Sequence, residues 1–164
     1  MSRLPEIVTH TFHPDRGPFR NLCALPDVQA ERVLGEMRAV GRCLHPNYLT
    51  RRRATESWLR DVRAMKLGKT PLELPIYFFV GDFADGRDPA RPRSVQLPLA
   101  ELPPHAITFS YGDSMSSGEA FTLAEVAALV AERGLPQRES DFIELQLWDS
   151  SPLLKYIARL SLRF

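Results

Sequence analysis

The spacing of apolar positions along the chain predicts three amphipathic helices. In these stretches apolar side chains recur every three or four residues, which places them on one face of a helix. The predicted helices cover residues 27–40, 51–67 and 123–133. Thr50 is positioned to cap the second helix, and Thr122 with Glu125 forms a capping-box sequence at the start of the third. A glycine follows each helix, as is typical of helix ends: Gly41, Gly68 and Gly134.

Runs of alternating or continuous apolar residues predict the β-strands. These runs cover residues 6–12, 76–80, 94–99, 106–111, 142–148 and 156–164. The run 76–80 is apolar and aromatic throughout, which predicts a central strand. The run 156–164 alternates apolar residues with arginine and serine, which is typical of a strand with one face in solvent. Residues 112–118 are polar and are expected to form a loop.

The order of these elements predicts an α+β fold. Two of the three helices precede most of the strands, so a mainly antiparallel sheet is expected rather than a repeated strand–helix–strand unit. The 164 residues suit one domain, 1–164, with a single hydrophobic core and about three helices.

Several protein classes are poor matches to this chain. No apolar run approaches the roughly 18 residues that a membrane-spanning helix needs, and Pro5 and Glu6 stand where a signal peptide would be apolar. The protein is therefore expected to be cytoplasmic and without a membrane partner. Cys23 and Cys43 are too few for a disulfide framework and are expected to be reduced thiols.

Charge is distributed unevenly between the two halves of the chain. Residues 1–70 contain 13 Lys and Arg against 7 Asp and Glu, whereas residues 71–164 contain 8 against 13. Such a split is typical of a basic face that meets an anionic partner, or of two halves that complement each other within one fold. The pI of about 7.9 favours the second interpretation. The densest basic cluster, a candidate contact to nucleic-acid phosphates, consists of Arg51, Arg52 and Arg53.

The spacing of histidine and cysteine does not favour a metal site. The candidate ligands are His10, His13, Cys23, Cys43 and His45. Their spacings do not match a zinc knuckle, and the chain has no Cys-x-x-Cys pair. No metal is expected.

A glutamate in the predicted strand 142–148 is the strongest candidate for chemistry. Strand alternation places Glu144 and Gln146 on one face, between Phe142 and Trp148. A carboxylate in the middle of a strand is costly if that face is buried, and it is favourable if the face lines a polar cleft. The alternative is an exposed face that carries two ordinary polar residues.

Three segments, taken in chain order, resemble the scaffold of the ADP-ribosyltransferases. They are Thr9-His10-Thr11 on the first strand, Ile76-Tyr77-Phe78-Phe79 on a later strand, and Glu144 on a strand near the C-terminus. The segment Ile107-Thr-Phe-Ser-Tyr-Gly-Asp-Ser114, followed by a helix, is similar to the nucleic-acid-modifying DarT-type branch in particular.

The resemblance implies that NAD binds as a substrate. His10 would hold the adenosine-side ribose, and Tyr77 would pack near the nicotinamide. Glu144 would stabilise the positive charge that develops on the ribose as nicotinamide leaves. Arginine-modifying members place Glu or Gln two residues before this glutamate, where this chain has Phe142. The acceptor is therefore open between nucleic acid and protein.

Two other hypotheses compete with the transferase. The chain could be a non-catalytic ligand-binding or protein-interaction module of the same shape, because a shared fold does not secure shared chemistry. It could also be a nucleic-acid-binding protein that uses its arginine cluster. An NAD site requires His10, Tyr77 and Glu144 to converge in one cleft, whereas a binding module predicts that Glu144 is exposed to solvent or that His10 is buried in the core.

Overall fold

The computed structural model describes residues 2–83, 88–137 and 141–161. Within these ranges the chain forms five α-helices and five β-strands. In chain order they are β1 (Ile7–Phe12), α1 (Asp27–Ala39), α2 (Tyr48–Leu67), β2 (Ile76–Val80), β3 (Arg93–Pro98), β4 (Ile107–Tyr111), α3 (Ser114–Ser117), α4 (Leu123–Arg133), β5 (Ile143–Leu147) and α5 (Leu154–Ser161).

All five strands belong to one antiparallel sheet with the order β3-β1-β2-β5-β4. The predicted α+β fold with a mainly antiparallel sheet is therefore confirmed, and β2 is the central strand, as its apolar run indicates. In the described residues no helix has both the length and the apolar character needed to cross a bilayer.

One face of the sheet carries the main hydrophobic core. Its fully buried side chains include Val8, Phe78, Phe109 and Leu145, which come from four different strands. Helix α4 covers this face with Val126 and Val130, both of them completely buried. The burial of these side chains is the main favourable contribution to folding of this layer.

The opposite face of the sheet is polar and lies under α2. Leu59 of α2 packs with Trp148 and Ala120 in a small apolar cluster at one end of this face. The remaining inward positions of α2 include the charged residues Glu56 and Arg63, both less than 5% exposed. A buried layer that contains charges must supply partners for them, because an unpaired charge away from water is very unfavourable.

The C-terminal segment is a helix and not the strand predicted over 156–164. Leu153, Tyr156 and Leu160 recur at helical spacing, and Leu153 is fully buried while Tyr156 packs against the core. Pro152 stands in the turn that leads into α5, a position that proline favours. The leucine and arginine positions therefore match both the alternation of a strand and the spacing of a helix, and packing against the core favours the helix. Residues 162–164 of the prediction lie outside the described ranges.

Two other boundaries differ from the sequence-based expectation. Helix α2 begins at Tyr48 after Asn47, so Thr50 lies inside the helix and does not cap it. The polar segment 112–118 contains the short helix α3, whose first turn is capped by the Asp113 carboxylate. Together with α5, this raises the number of α-helices from about three to five in the described part of the chain.

The capping box at the start of α4 is confirmed, and it supports a quantitative prediction. The Thr122 hydroxyl accepts a hydrogen bond from the Glu125 N–H, and the Glu125 carboxylate accepts one from the Thr122 N–H. We expect Thr122→Ala to lower the free energy of unfolding by about 1 kcal/mol, measured by urea denaturation. Thr50→Ala is the matched control: Thr50 is exposed inside α2, so its replacement should be close to neutral. Equal losses in the two variants would contradict the assignment of Thr122 as the cap.

Candidate functional site

The polar face of the sheet places Glu144 between two neighbouring strands. Glu144 lies opposite Phe79 of β2 and opposite Ser110 of β4. Its side chain is largely buried, at 7% exposure. Since β5 alternates, Gln146 shares this face, and Phe142 and Trp148 flank the pair as the sequence pattern predicts.

A chain of hydrogen bonds runs along this face and ends at Glu144. The Trp148 indole N–H donates to the Thr108 hydroxyl at 2.9 Å, and that hydroxyl donates to Gln146 Oε1 at 2.8 Å. The Gln146 amide then donates to Glu144 Oε1 at 2.9 Å and to the Ser110 hydroxyl at 3.1 Å. Each member fixes the orientation of the next, so the Glu144 carboxylate is held in one position.

The groups around Glu144 shift the pKa of its carboxyl group in opposite directions. Burial raises the pKa of its carboxyl group, and the nearby Asp113 carboxylate raises it further. The Arg52 guanidinium and the Gln146 amide favour the ionised form and limit that rise. The nearby Ser114 hydroxyl also limits the rise in the pKa of Glu144, although it makes no hydrogen bond of ordinary geometry. A buried carboxyl group with a raised pKa is suited to accept or donate a proton.

A second polar cluster on the same face joins α2 to β2. We call it the Glu56 cluster, and it comprises Asn21, Arg52, Glu56 and Tyr77. Glu56 Oε1 accepts hydrogen bonds from the Tyr77 hydroxyl at 2.8 Å and from the Asn21 amide at 3.1 Å. The Arg52 Nε lies 3.4 Å from the same oxygen, and the Arg52 guanidinium stacks 3.9 Å from the centre of the Tyr77 ring.

His10 lies on the other face of the sheet, in the hydrophobic core. Its Nε2 accepts a hydrogen bond from the Phe19 N–H at 2.7 Å, so its Nδ1 must carry the proton that it donates to the Tyr77 carbonyl at 2.8 Å. Its ring packs against Phe19 and Phe78. Burial lowers the pKa of His10 to about 4, so the imidazole is neutral at pH 7.

The structure therefore brings two of the three residues singled out by the resemblance to one face. Tyr77 lies opposite Gln146 in the β2–β5 pair, two residue pairs along from the pair that contains Glu144 and therefore on the same face. The sheet separates His10 from both side chains, although the His10 ring touches the Tyr77 backbone. The roles that the resemblance implies for His10, Tyr77 and Glu144 stay predictions.

The three arginines of the basic cluster point in different directions. The Arg51 side chain is exposed, whereas the Arg52 side chain is only 12% exposed and faces Tyr77. Arg53 forms an ion pair with Asp27 at 2.8 Å. A surface formed by all three guanidinium groups is absent, and their predicted role in binding nucleic acid stays a prediction.

The residues weighed as metal ligands are dispersed. Cys23 is half-buried, Cys43 is exposed, and both are free thiols. Burial and the neighbouring Glu56 carboxylate raise the pKa of Cys23 to about 12, so its thiol stays protonated. Among residues 2–83, 88–137 and 141–161, no group of three or more His, Cys, Asp or Glu side chains is placed to hold a metal ion.

An open pocket of about 300 Å³ lies at the end of the sheet where β4 runs into α3. We call it the α3 pocket. Its lining residues include Tyr111, Asp113, Ser117, Asp141 and Phe142. Phe142 directly precedes the strand that carries Glu144, and the Asp113 charge acts on the Glu144 carboxyl group.

Sequence reasoning missed Glu56 and the α3 pocket. The signal for Glu56 was present: it lies three residues before the buried Leu59, on the apolar stripe of α2, where a charge requires a buried partner. Asp113 and Asp141 are 28 residues apart, and only the antiparallel pairing of β4 with β5 brings them together.

Comparison with known proteins adds no candidate, since no protein-family model, curated protein or solved structure matches this chain.

Proposed function

We propose that this protein is a ligand-binding module whose site is the α3 pocket. The observation that carries the proposal is the position of His10 in the core, on the face of the sheet opposite Glu144. A histidine and a glutamate that hold the two ends of one NAD molecule must face a common cleft. Both imidazole nitrogens of His10 are instead occupied by backbone partners, so the ring has no free atom for a ribose hydroxyl.

The chemistry of the α3 pocket also supports binding of a ligand other than NAD. Asp113 and Asp141 line the pocket, and no described lining residue is basic. The NAD pyrophosphate carries negative charge, which these carboxylates would repel. A volume of about 300 Å³ lies at the lower end of the range for small-molecule pockets and suits a ligand smaller than a dinucleotide.

An NAD-dependent ADP-ribosyltransferase remains a second candidate function because of Glu144 itself. Its carboxylate is buried, fixed by the Gln146 amide and close to the Arg52 charge. Such a group could stabilise the positive charge on the ribose when the bond to nicotinamide breaks, with a nucleic-acid or protein acceptor completing the transfer. This function would require NAD to reach Glu144 without a contact from His10.

Titration with NAD separates the two candidates. We expect no saturable heat and no release of nicotinamide from millimolar NAD by the wild-type protein. Saturable binding, with nicotinamide release that is lost in Glu144→Gln and retained in Glu132→Gln, would overturn the proposal in favour of the transferase. Glu132 is a suitable control because it is exposed on α4.

The ligand-binding module also makes a positive prediction. In a thermal-shift panel of small cationic, anionic and neutral metabolites, at least one compound should raise the Tm in a concentration-dependent way, because a ligand that binds only the folded state stabilises it. The shift should be reduced by Phe142→Leu, which alters the pocket wall. A panel in which no compound raises the Tm would count against the module.

A further inference from the structure

We infer that residues 13–25, which form most of the connection between β1 and α1, are a strap that opens and closes over the Glu56 cluster while the rest of the fold stays intact. The inference is independent of the α3 pocket and of any ligand bound there. It is carried by a gap in the sheet between β1 and β2, where the His10 side chain bridges β2 to the strap.

The pairing of β1 with β2 stops before either strand ends. Its last residue pair is Thr9 with Phe79, whereas β1 stays paired with β3, and β2 with β5, to the ends of both strands. If the register continued, Thr11 would lie opposite Tyr77, and their backbone groups would form the next ladder hydrogen bonds. The Tyr77 carbonyl instead accepts a hydrogen bond from His10 Nδ1 at 2.8 Å. A side chain thus replaces a bond between strands at this point.

The His10 imidazole also ties the strap to the sheet. Its Nε2 accepts the Phe19 N–H at 2.7 Å, and the two rings pack with 4.9 Å between their centres. Phe19 has a left-handed backbone conformation, with φ of 62°, which is unfavourable for a residue with a side chain. The closed strap therefore stores backbone strain that opening releases.

Asn21 makes a second attachment, on the opposite face of the sheet. Its amide donates hydrogen bonds to Glu56 Oε1 at 3.1 Å and to the Pro75 carbonyl at 2.7 Å. Its Oδ1 accepts the Cys23 N–H at 2.7 Å, which shapes the strap itself. Since Phe19 packs against the core face and Asn21 contacts the polar layer, the strap passes from one side of the sheet to the other beside the gap.

Little apolar burial holds the strap closed. Every residue of the strap is half-buried or exposed, and none is fully buried. Leu22, Cys23 and Leu25 are only partly buried against the small apolar cluster between α1 and α2. The ion pair between Arg16 and Glu36 lies near the surface and contributes little. Segments with few buried apolar contacts open at a lower free energy than the core does, so the strap should open before the domain unfolds.

Opening of the strap uncovers polar groups of the Glu56 cluster. Glu56 is 1% exposed, and its Oε2 is buried without a hydrogen-bond partner. With the strap displaced, water or a polar solute can reach this oxygen and the Tyr77 hydroxyl beside it. Hydration of these groups offsets part of the cost of breaking the Asn21 hydrogen bonds. The strap thus acts as a lid on the layer between α2 and the sheet.

The thiol of Cys23 reports on the strap. The other cysteine of the chain is Cys43, which is exposed, so a Cys43→Ser protein has a single thiol. In the closed strap, burial and the Glu56 carboxylate raise the pKa of Cys23 to about 12, so the thiol reacts slowly with iodoacetamide. We expect the rate of alkylation at pH 8 to be nearly independent of urea below the unfolding transition, because local opening exposes little surface.

Two variants and a matched control, made in the Cys43→Ser protein, test the attachments. Asn21→Ala removes three hydrogen bonds of the closed strap and should raise the alkylation rate at least about tenfold. His10→Gln should also raise the rate, because it removes the imidazole that bridges the strap to β2. Asn47→Ala should leave the rate unchanged, since Asn47 is exposed and its side chain does not cap α2. If His10→Gln unfolds, Asn21→Ala alone decides.

Three results would overturn the inference. Alkylation of Cys23 with the urea dependence of global unfolding would mean that the strap opens only when the whole domain unfolds. Alkylation as fast as that of Cys43 in a Cys23→Ser protein would mean that the strap is not closed. Equal rates in Asn21→Ala and Asn47→Ala would mean that Asn21 does not hold the strap. None of these results bears on the α3 pocket, so the proposed function is tested separately.

Discussion

Lowering the pH from 7 to 4 should remove about 3 kcal/mol of folding stability through one side chain, His10. His10 is 6% exposed, and burial lowers its pKa to about 4 in the folded protein, against an ordinary value of 6.5. The positive charge of Arg91 contributes in the same direction. The unfolded chain therefore takes up a proton between pH 6.5 and 4, whereas the folded protein does not.

The sign follows from this difference in proton uptake. The stability associated with neutral His10 is fully present above pH 6.5 and is lost progressively as the pH falls towards 4. Protonation also removes the lone pair on Nε2 that accepts the Phe19 N–H. Phe19 has a left-handed backbone, with φ of 62°, so the loop that follows β1 depends on this hydrogen bond to hold an unfavourable conformation.

Urea denaturation at half-unit steps of pH measures the effect. Asp88, Glu101 and Glu125, whose pKa values are lowered in the folded protein, also reduce stability as the pH falls, so the informative quantity is the difference between variants. His10→Gln should flatten the curve between pH 4 and 6.5 relative to the wild type. Parallel curves for the wild type and His10→Gln would show that His10 is not the group responsible. Should His10→Gln fail to fold, titration of the wild-type imidazole by NMR reads its pKa directly.

Capping residues, glycines and the spacing of apolar residues predicted the helices and most of the strands, because these features decide local structure. The capping box at Thr122 and the glycine at Gly134 mark the two ends of α4 as observed. The strand prediction for the segment after Leu153 was wrong because the residues of this segment satisfy strand alternation and helical spacing at once. The packing of Tyr156 against the core and its hydrogen bond to the Glu101 carboxylate distinguish the helix from the strand. Glu101 is 55 residues from Tyr156 in the sequence, so local patterns do not reveal this contact.

The candidate site was less predictable for a related reason. Alternation within β1 assigns His10 to the face of Val8 and Phe12, and alternation within β5 assigns Glu144 to the face of Gln146. Neither pattern says whether those two faces are the same side of the sheet. That relation depends on register, because a slip of one residue between strands exchanges the faces. The observed pairs Thr9–Phe79 and Phe79–Glu144 place Thr9, and not His10, on the side of Glu144.

Glu56→Ala should be the most destabilising substitution in the polar layer under α2, with a loss of about 3–5 kcal/mol. Glu56 is 1% exposed, and one of its oxygens partners the Tyr77 hydroxyl, the Asn21 amide and the Arg52 guanidinium. Its removal leaves the Arg52 charge largely buried beside Tyr77 without its nearest counter-charge, and leaves the Tyr77 hydroxyl without its acceptor. Chemical denaturation at pH 7 provides the measurement. Glu31→Ala, an exposed glutamate of α1, should cost no more than about 0.5 kcal/mol as the matched control.

A double-mutant cycle then tests whether the cost comes from the buried pair. Arg52→Met alone leaves the Glu56 carboxylate buried without its positive partner, so it should also be strongly destabilising. Combining Arg52→Met with Glu56→Leu removes both charges and replaces them with side chains that can pack. The double variant should therefore be more stable than the sum of the two single losses by at least about 1–2 kcal/mol. Strict additivity would mean that Arg52 and Glu56 do not stabilise each other, and the layer between α2 and the sheet would then owe its stability to apolar contacts such as Leu59 with Trp148.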